Sequence, residues 1–380
     1  MRDRFDFGAI NPDAFAEIDS YVDSFSKAAD IESVAVLGNP EYIEKPFFTV
    51  IVPTYKRDRL LKEALESVVS QDIKDLSWNC LVMDNTPPDA LGNTPAMKII
   101  KELNDGRITY YRNALNIGSG YNWNRGAELA RGEWVVFLHD DDIMYPDALT
   151  NLARIISVHA GGKPELGYIH ARRENSFGAG QAGPTRRARV RYYEPLTRLR
   201  SLIRGESGTG MPTCGTAALR KAYIETGGVN YDFGPTADAI VGYRIMKKYR
   251  VIVSDVSLGA RRWSESETIK ESTLRALIKS DYLFARYRYS QTPFSRAWGR
   301  IFGNTEYNEN LRYKRNIAKA TRADSESISD FFEKERKRSC FAVFALYKAL
   351  QRVHFAVSVC NAALHYKYKA GISRQTADEI

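Results

Sequence analysis

Apolar positions between residues 47 and 160 fall into two alternating rhythms. FFTVIV (47–52) is an unbroken run rich in β-branched residues, the pattern of a strand covered on both faces. After the polar turn PTYKRD, Leu60, Leu61, Ala64, Leu65, Val68 and Val69 recur at helical spacing. NCLVMD (79–84) predicts a second strand ending in Asp84, NTPPDALGNTP a loop, Ala96 to Leu103 a short helix and ITYYR (108–112) a third strand. NIGSGYNWNRG (116–126) reads as a Gly/Asn-rich turn opening a helix that closes near Arg131 and Gly132, and WVVFLH (134–139) as a fourth strand. Pro146 suits the first turn of the next helix, PDALTNLARIISVHA. This alternation predicts an α/β fold, a doubly wound and mostly parallel sheet with flanking helices. Ligands of such sheets bind beyond the carboxyl ends of the strands. PTYKRD, DNTPPD and HDDD all fall there.

Outside this stretch the rhythm changes. Phe15, Ile18, Tyr21, Val22 and Phe25 predict an amphipathic helix within residues 12–30. Residues 160–210 are rich in Gly and Arg and are expected to contain a mobile loop. Apolar and helical patterning returns at 214–228, 236–249 and 251–256, and from about residue 270 the chain reads as helical. Segment 334–369 has basic ends around an aromatic and aliphatic centre; it suits an interfacial helix or one buried in a bundle. The expected organisation is an acidic helical extension (1–46), a central domain (47–268) and a helical, basic C-terminal region (269–380).

The formal charge of +9 sharpens that division. Residues 1–46 hold ten Asp/Glu and four Lys/Arg, so the remainder carries +15. A basic remainder suits an anionic partner, whether a sugar nucleotide or a membrane surface. No helix-turn-helix, RNP or zinc-finger pattern is present, so nucleic acid is not an expected partner. Cys80, Cys214, Cys340 and Cys360 form no CxxC pair, which points to a reducing compartment and no structural zinc. The first residues lack the apolar core of a signal peptide, and no uninterrupted apolar stretch is long enough to span a bilayer. The expected location is cytoplasmic, with peripheral attachment to the cytoplasmic face of the membrane if 334–369 is interfacial.

Asp140, Asp141 and Asp142 follow a buried strand directly, although adjacent carboxylates repel and are weak strand formers. Oxygen ligands suit Mg²⁺ and Mn²⁺, and such an ion neutralises charge on a leaving diphosphate. The competing reading is a solvated N-cap cluster ahead of the helix at Pro146.

PTYKRDRLLKEALESVVSQ, LVMDN, NIGSGYNWNRGAELARGEWVVFLHDDD and PDAL together resemble the family 2 glycosyltransferases, in order and with similar spacing over residues 47–155. The resemblance weakens towards residue 265. It implies a GT-A fold and an inverting, metal-dependent transferase using a nucleoside-diphosphate sugar (UDP, GDP or dTDP), with Mn²⁺ or Mg²⁺. The resemblance assigns Asp141 and Asp142 to the metal, and Asp140, Pro53, Thr54, Tyr55, Asp84, Asn116 and Gly118 to the donor. His139 stands where many members have Asp, and is a candidate Mn²⁺ ligand or a packing residue. Trp123 stands where Arg is common, with Arg125 a candidate replacement.

The resemblance also places an Asp at a helix start past a Gly-Gly turn as the base that activates the acceptor hydroxyl. Here that is Asp238, after Gly227 and Gly228, with Ala237 where Glu is usual and Asp232 as a fallback. Arg261 and Arg262 fall where a His motif is common and are candidates for the diphosphate; Trp263 is a candidate acceptor wall. The expected acceptor is a glycan or lipid-linked hydroxyl, in cell-surface polysaccharide or glycolipid synthesis. Two other readings remain open: a sugar nucleotidyltransferase, against which PTYKRDR lacks the Gly-rich phosphate loop, and a non-catalytic sugar-nucleotide-binding protein.

Overall fold

In a computed structural model of the protein the apolar runs lie side by side in one sheet. The structure describes residues 10–20, 23–159, 161–176, 190–193, 216–262, 270–290, 295–320, 326–336, 342–349 and 352–353. Strands β2 (Phe48–Thr54), β3 (Trp78–Asp84), β4 (Ile108–Asn113) and β5 (Trp134–Phe137) form its parallel centre in the order β4-β3-β2-β5. Every residue of β2, β3 and β5 is buried, which is why these segments read as unbroken apolar runs. The antiparallel strand β1 (Ser33–Leu37) closes one edge against β4.

The helices between these strands carry their own start signals. Asp58 caps α1 (Arg59–Val69), accepting from the Arg59 N–H at 2.5 Å, and Leu60, Leu61, Ala64, Leu65 and Val68 are buried. Thr94 caps α2 (Pro95–Leu103), whose first residue is a proline, and Asn104 ends it in the left-handed conformation with φ 48°. Helix α3 (Gly118–Leu129) lies so close to β2 that a Cβ on Gly126 would stand 2.4 Å from Ile51 Cγ2.

Beyond β5 the chain builds the other half of the sheet. Strand β6 (Asp142–Met144) and helix α4 (Ala148–His159) lead into β7 (Leu166–Ser176) and β8 (Val190–Tyr193). Then come β9 (Thr216–Leu219), α5 (Arg220–Glu225), α6 (Ala237–Lys248) and β10 (Arg250–Arg262). Their order continues β5-β9-β7-β10-β6, with β8 also on β10. Strands β7 and β10 are parallel; β9 runs against both β5 and β7. The sheet is therefore mixed, with a doubly wound parallel centre as expected. Helices α7 (Glu271–Ser290), α8 (Ser295–Ala320) and α9 (Glu326–Glu335) make the C-terminal region helical, also as expected.

Phe15, Ile18 and Phe25 from the N-terminal segment, and Phe284 and Tyr287 from α7, belong to the same core as the sheet. A second cluster, Leu274, Ile278, Tyr307, Leu311, Ala318 and Phe332, joins α7, α8 and α9.

Two local expectations are corrected. The amphipathic helix within 12–30 is instead a pair of short 3₁₀ helices, Pro12–Glu17 and Ser26–Ala28. Asn11 and Asp23 bind nearby backbone N–H groups (Asp13 at 3.1 Å, Phe25 at 3.0 Å), which competes with helix propagation. Within the 160–210 stretch, β7 was not expected; its LGYIHARRENS sequence carries little strand signal and is stabilised by pairing with β10, far along the chain, while residues 177–189 and 194–210, where the loop was expected, lie outside the described residues. Helix α3 starts at Gly118, inside what reads as a turn. The Arg-rich 186–204 stretch, Trp263 and most of 334–369 lie outside the described residues, apart from Val190–Tyr193, 334–336, the helical residues 342–349 and 352–353.

Candidate active site

The sheet reverses direction of growth at β2. Strands β3 and β4 follow on one side of it, and β5 joins on the other. Loops leaving β2 and β5 therefore part, and a crevice opens at their carboxyl ends. The β2 loop brings Thr54, Tyr55 and Arg57, and the β5 loop brings His139, Asp140, Asp141 and Asp142. Thr54 Oγ donates to Asp140 Oδ2 at 2.8 Å, and Arg57 Nε lies 4.0 Å from Asp140 Oδ1. Pro53 is buried on β2, while Tyr55 is exposed with the Lys56 ammonium 5.0 Å from its ring centroid.

The carboxylate turn is pinned from its far side. Strand β6 pairs with β10 so that Asp142 lies opposite Arg261. The Arg262 N–H donates to Asp142 Oδ1 at 3.2 Å, and Arg262 Nε to the Asp141 carbonyl at 2.5 Å. Its remaining nitrogens pair with Glu63 and donate to the Leu60 carbonyl at 3.2 Å. The phosphate contact expected of Arg262 is thus not what this geometry offers, because its guanidinium clamps the carboxylate turn to α1. Arg261 is the arginine whose charge acts on His139, Asp141, Asp142 and Asp238.

His139, Asp141 and Asp142 each offer one ligand atom, all within 4.8 Å of one another. His139 Nδ1 lies 3.9 Å from Asp141 Oδ1 and 4.0 Å from Asp142 Oδ2. Trp123 backs this group. Its ring centroid is 5.3 Å from the His139 ring, tilted by 32°, and it also packs on Phe137. Arg125 does not take the place of the missing Arg at Trp123; it donates to the carbonyls of Ala28 and Ile31 at 2.7 and 3.2 Å.

Burial pushes Asp140 and Asp142 up to about 7, with the Asp141 charge adding to both. Burial also raises Asp141, against the lowering fields of Arg57, Arg261 and Arg262. Burial, then the charges of Arg261, Arg173 and Arg57, pulls His139 down to about 3, so its imidazole is neutral and has a lone pair to give. Asp142 Oδ2 is buried without a hydrogen-bond partner. An orphaned carboxylate oxygen among like charges at low dielectric is costly, and a hard cation between the three groups relieves it. The residues present fit Mn²⁺ or Mg²⁺.

Asp84 lies beneath the loop that it precedes. It is fully buried; its oxygens accept from the Thr86 N–H at 2.7 Å and the Tyr110 hydroxyl at 2.8 Å. Burial raises its pKa. In this geometry it organises the loop from beneath. Asn116 Oδ1 accepts from the Gly118 N–H at 2.9 Å, and Gly118 opens α3 with φ +77°, a conformation that favours glycine. Both lie on the loop after β4, beside the β2 and β3 loops.

A buried amide network beneath these loops was not anticipated. Asn113 Nδ2 donates to Asn85 Oδ1 and Asn122 Oδ1, each at 2.8 Å, and Asn122 Nδ2 donates to the Met83 carbonyl at 2.6 Å. The available signal was Asn122 and Asn124 inside a helix, where Asn is a poor helix former.

Asp238 sits in the first turn of α6, accepting from the Ala239 N–H at 2.6 Å. Burial raises its pKa, and Arg173, Arg261 and Lys314 oppose that. The Gly227-Gly228 turn ahead of it has φ +86° and +63°, and Asn124 of α3 holds the following Val229 through both its N–H and carbonyl, each at 2.8 Å. Asp232, the fallback, is committed to the N-terminal segment through Lys27 at 2.5 Å. Arg173 on β7 was not singled out in the sequence, yet its charge acts on His139, Asp142, Asp238 and Arg261.

The fold is an α/β domain with a carboxylate turn at the switch point of its sheet. Residues 49–227 match the family described as Glycosyl transferase family 2. An uncharacterized glycosyltransferase of Methanocaldococcus jannaschii is 36% identical over 110 residues, covering 28% of this chain and 36% of the relative. The GalNAc(5)-diNAcBac-PP-undecaprenol beta-1,3-glucosyltransferase of Campylobacter jejuni is 36% identical over 126 residues, covering 33% of this chain and 37% of the relative. The chain thus matches little more than a third of the length of these relatives. Staphylococcus aureus TarS 1-349 in complex with UDP superposes with a TM-score of 0.47 at 16% identity over 80% of this chain and 90% of that one, too remote to bear on chemistry.

Proposed function

We propose that the protein is a divalent-metal-dependent, inverting glycosyltransferase that moves a sugar from a nucleoside-diphosphate donor to an acceptor hydroxyl. The observation that carries this reading is the convergence of His139, Asp141 and the orphaned Asp142 Oδ2 at the switch point of a family 2 domain. His139, Asp141 and Asp142 would hold Mn²⁺ or Mg²⁺, which when bound neutralises charge on the departing diphosphate. Asp140, steadied by Thr54, faces the donor's ribose; Pro53, Thr54 and Tyr55 shape the nucleoside edge, with UDP, GDP and dTDP as the candidate carriers. Asn116 and Gly118 set the backbone at the N-terminus of α3, where N–H groups favour an anionic ligand. Arg173 and Arg261 flank the sugar-diphosphate path.

Asp238 takes the proton of the acceptor hydroxyl. The acceptor oxygen forms a bond to the anomeric carbon as the bond to the diphosphate oxygen breaks, and the electron pair leaves with the diphosphate. A carboxylate whose burial raises its pKa is a better proton acceptor than an exposed one, provided nearby cations keep it ionised. The acceptor we propose is a glycan or lipid-linked glycan in cell-surface polysaccharide or glycolipid synthesis. The basic balance after residue 46 and the name of the Campylobacter relative, which describes a lipid-diphosphate-linked acceptor, support it. Among the described residues no helix is long and apolar enough to cross a membrane; the lipid contact we propose is peripheral, on the cytoplasmic face. We propose the working division at 46/47 and 268/269, with the donor and base residues all in the central domain.

The test is nucleoside-diphosphate release from UDP-, GDP- and dTDP-sugars with Mn²⁺, Mg²⁺ or chelator. Metal-dependent release from one donor, lost in Asp141→Ala, is expected. Binding of a donor without turnover under any condition would favour the non-catalytic reading.

A further inference from the structure

The C-terminal helices reach the candidate base. Thr236, buried immediately ahead of α6, has its hydroxyl 2.6 Å from Asp281 Oδ1 and 2.7 Å from Ser280 Oγ, both on α7. Asp281 Oδ2 is ion-paired in turn with Lys314 Nζ of α8, and the two side chains are 17% and 12% exposed. Two residues beyond Thr236 is Asp238. A continuous series of contacts therefore runs from an ammonium on α8, through a carboxylate on α7, to the hydroxyl at the foot of α6.

Lys314 and Asp238 also act on each other through space. The Lys314 charge favours the Asp238 carboxylate, and Asp238 favours the ammonium, which burial otherwise disfavours. The other groups in this electrostatic neighbourhood are Arg173 and Tyr168 from β7 and Arg261 from β10. Arg173 and Arg261 belong to the crevice that also holds the metal-ligand candidates. Lys314 comes from outside the matched family span, and neither the family match nor the carboxylate turn requires it.

We propose that the Lys314–Asp281–Thr236 series is a positioning device for Asp238: it fixes the first turn of α6 and supplies part of the cationic field that keeps the carboxylate ready to take a proton. The C-terminal helices are then part of the catalytic unit, and Lys314 is a positioning residue. The proposal rests on Asp238 being the base.

The experiment measures the pH dependence of Mn²⁺-supported diphosphate release for the full chain, Lys314→Met, Lys314→Arg and Thr236→Val. Removing the cation makes Asp238 easier to protonate. In K314M the acid limb should therefore move up by about one pH unit, with about tenfold less activity below it. K314R should restore the native limb. T236V should lower kcat about tenfold with the donor KM unchanged and the limb in place, because it loosens the turn without changing charge. A folded K314M with the native limb overturns the proposal. Where K314M does not fold, native kcat in T236V overturns it. An inactive full chain, or full activity in Asp238→Asn, marks failure of the functional reading instead.

Discussion

The proposed donor side and the proposed base side of the crevice are built differently. The donor side uses sequential β-α units: Thr54, Asp140 and the Asn116 loop all follow parallel strands whose burial was visible as apolar runs. The base side collects Arg173 from β7, Asp238 from α6, Arg261 from β10 and Lys314 from α8, segments far apart in the chain. One side is rigid by local repetition, while the other depends on long-range ion pairs and helix packing. The base side should thus be more sensitive to disturbance away from the site.

Chemistry gives the largest expected effects. Asp141→Ala should lower kcat about a thousandfold, with the metal response lost, as expected when charge stabilisation at a leaving group is removed. Asp238→Asn should lose about a hundredfold or more while donor and metal binding, followed by thermal shift, persist. If both variants lose donor binding alike, the division into two sides is wrong.

Next is Glu306→Ala on the base side. Glu306 pairs with Arg288 between α7 and α8, both buried. Leaving that guanidinium without its carboxylate should cost about 3–5 kcal/mol in urea unfolding. The comparison is sharpened if activity falls with the helices while donor binding is kept.

The carboxylate turn predicts a pH response. Asp140 and Asp142 stand at about 7 in the fold, above their ordinary 3.8. Between those values the folded state binds more protons than the unfolded chain, so metal-free stability should fall as pH rises through that window. With chelator, Tm should be lower at pH 8 than at pH 5.5; Mn²⁺ should raise it more at pH 8. Asp142→Asn should flatten both trends, and a pH-independent Mn²⁺ shift would contradict this account.

Tyr110→Phe should have the smallest effect. It removes the buried hydrogen bonds of its hydroxyl to Asp84 and Thr94, which should cost about 2 kcal/mol in unfolding free energy. Because Asp84 supports the donor loop from beneath, donor KM should rise modestly. A loss as large as that of Asp238→Asn would show that Asp84 touches the reacting groups directly.

Much of the donor side was legible in advance. Periodicity placed β2 through β5 and α1 through α3 to within a few residues, and the strand-to-carboxylate junction at Leu138 to Asp142 marked the crevice. What misled was direction. Asp84 looks like a ligand contact at a strand end, but its carboxylate turns inward to Tyr110 and Thr86. Arg262 looks like a phosphate clamp, but its fork is taken by Asp141, Glu63 and Leu60. Position along a strand can be inferred from spacing, whereas which group a side chain meets depends on neighbours supplied by other elements.

By itself, then, the sequence determined the parallel α/β centre, the carboxylate turn and the region of Asp238, because local burial and periodicity are written into consecutive residues. Only the tertiary structure decided that β7 is a strand, that Arg173 joins the crevice, and that Lys314 and Asp281 stand behind the first turn of α6. Those placements come from pairings across long stretches of chain, where the deciding energies lie in contacts that no local pattern encodes.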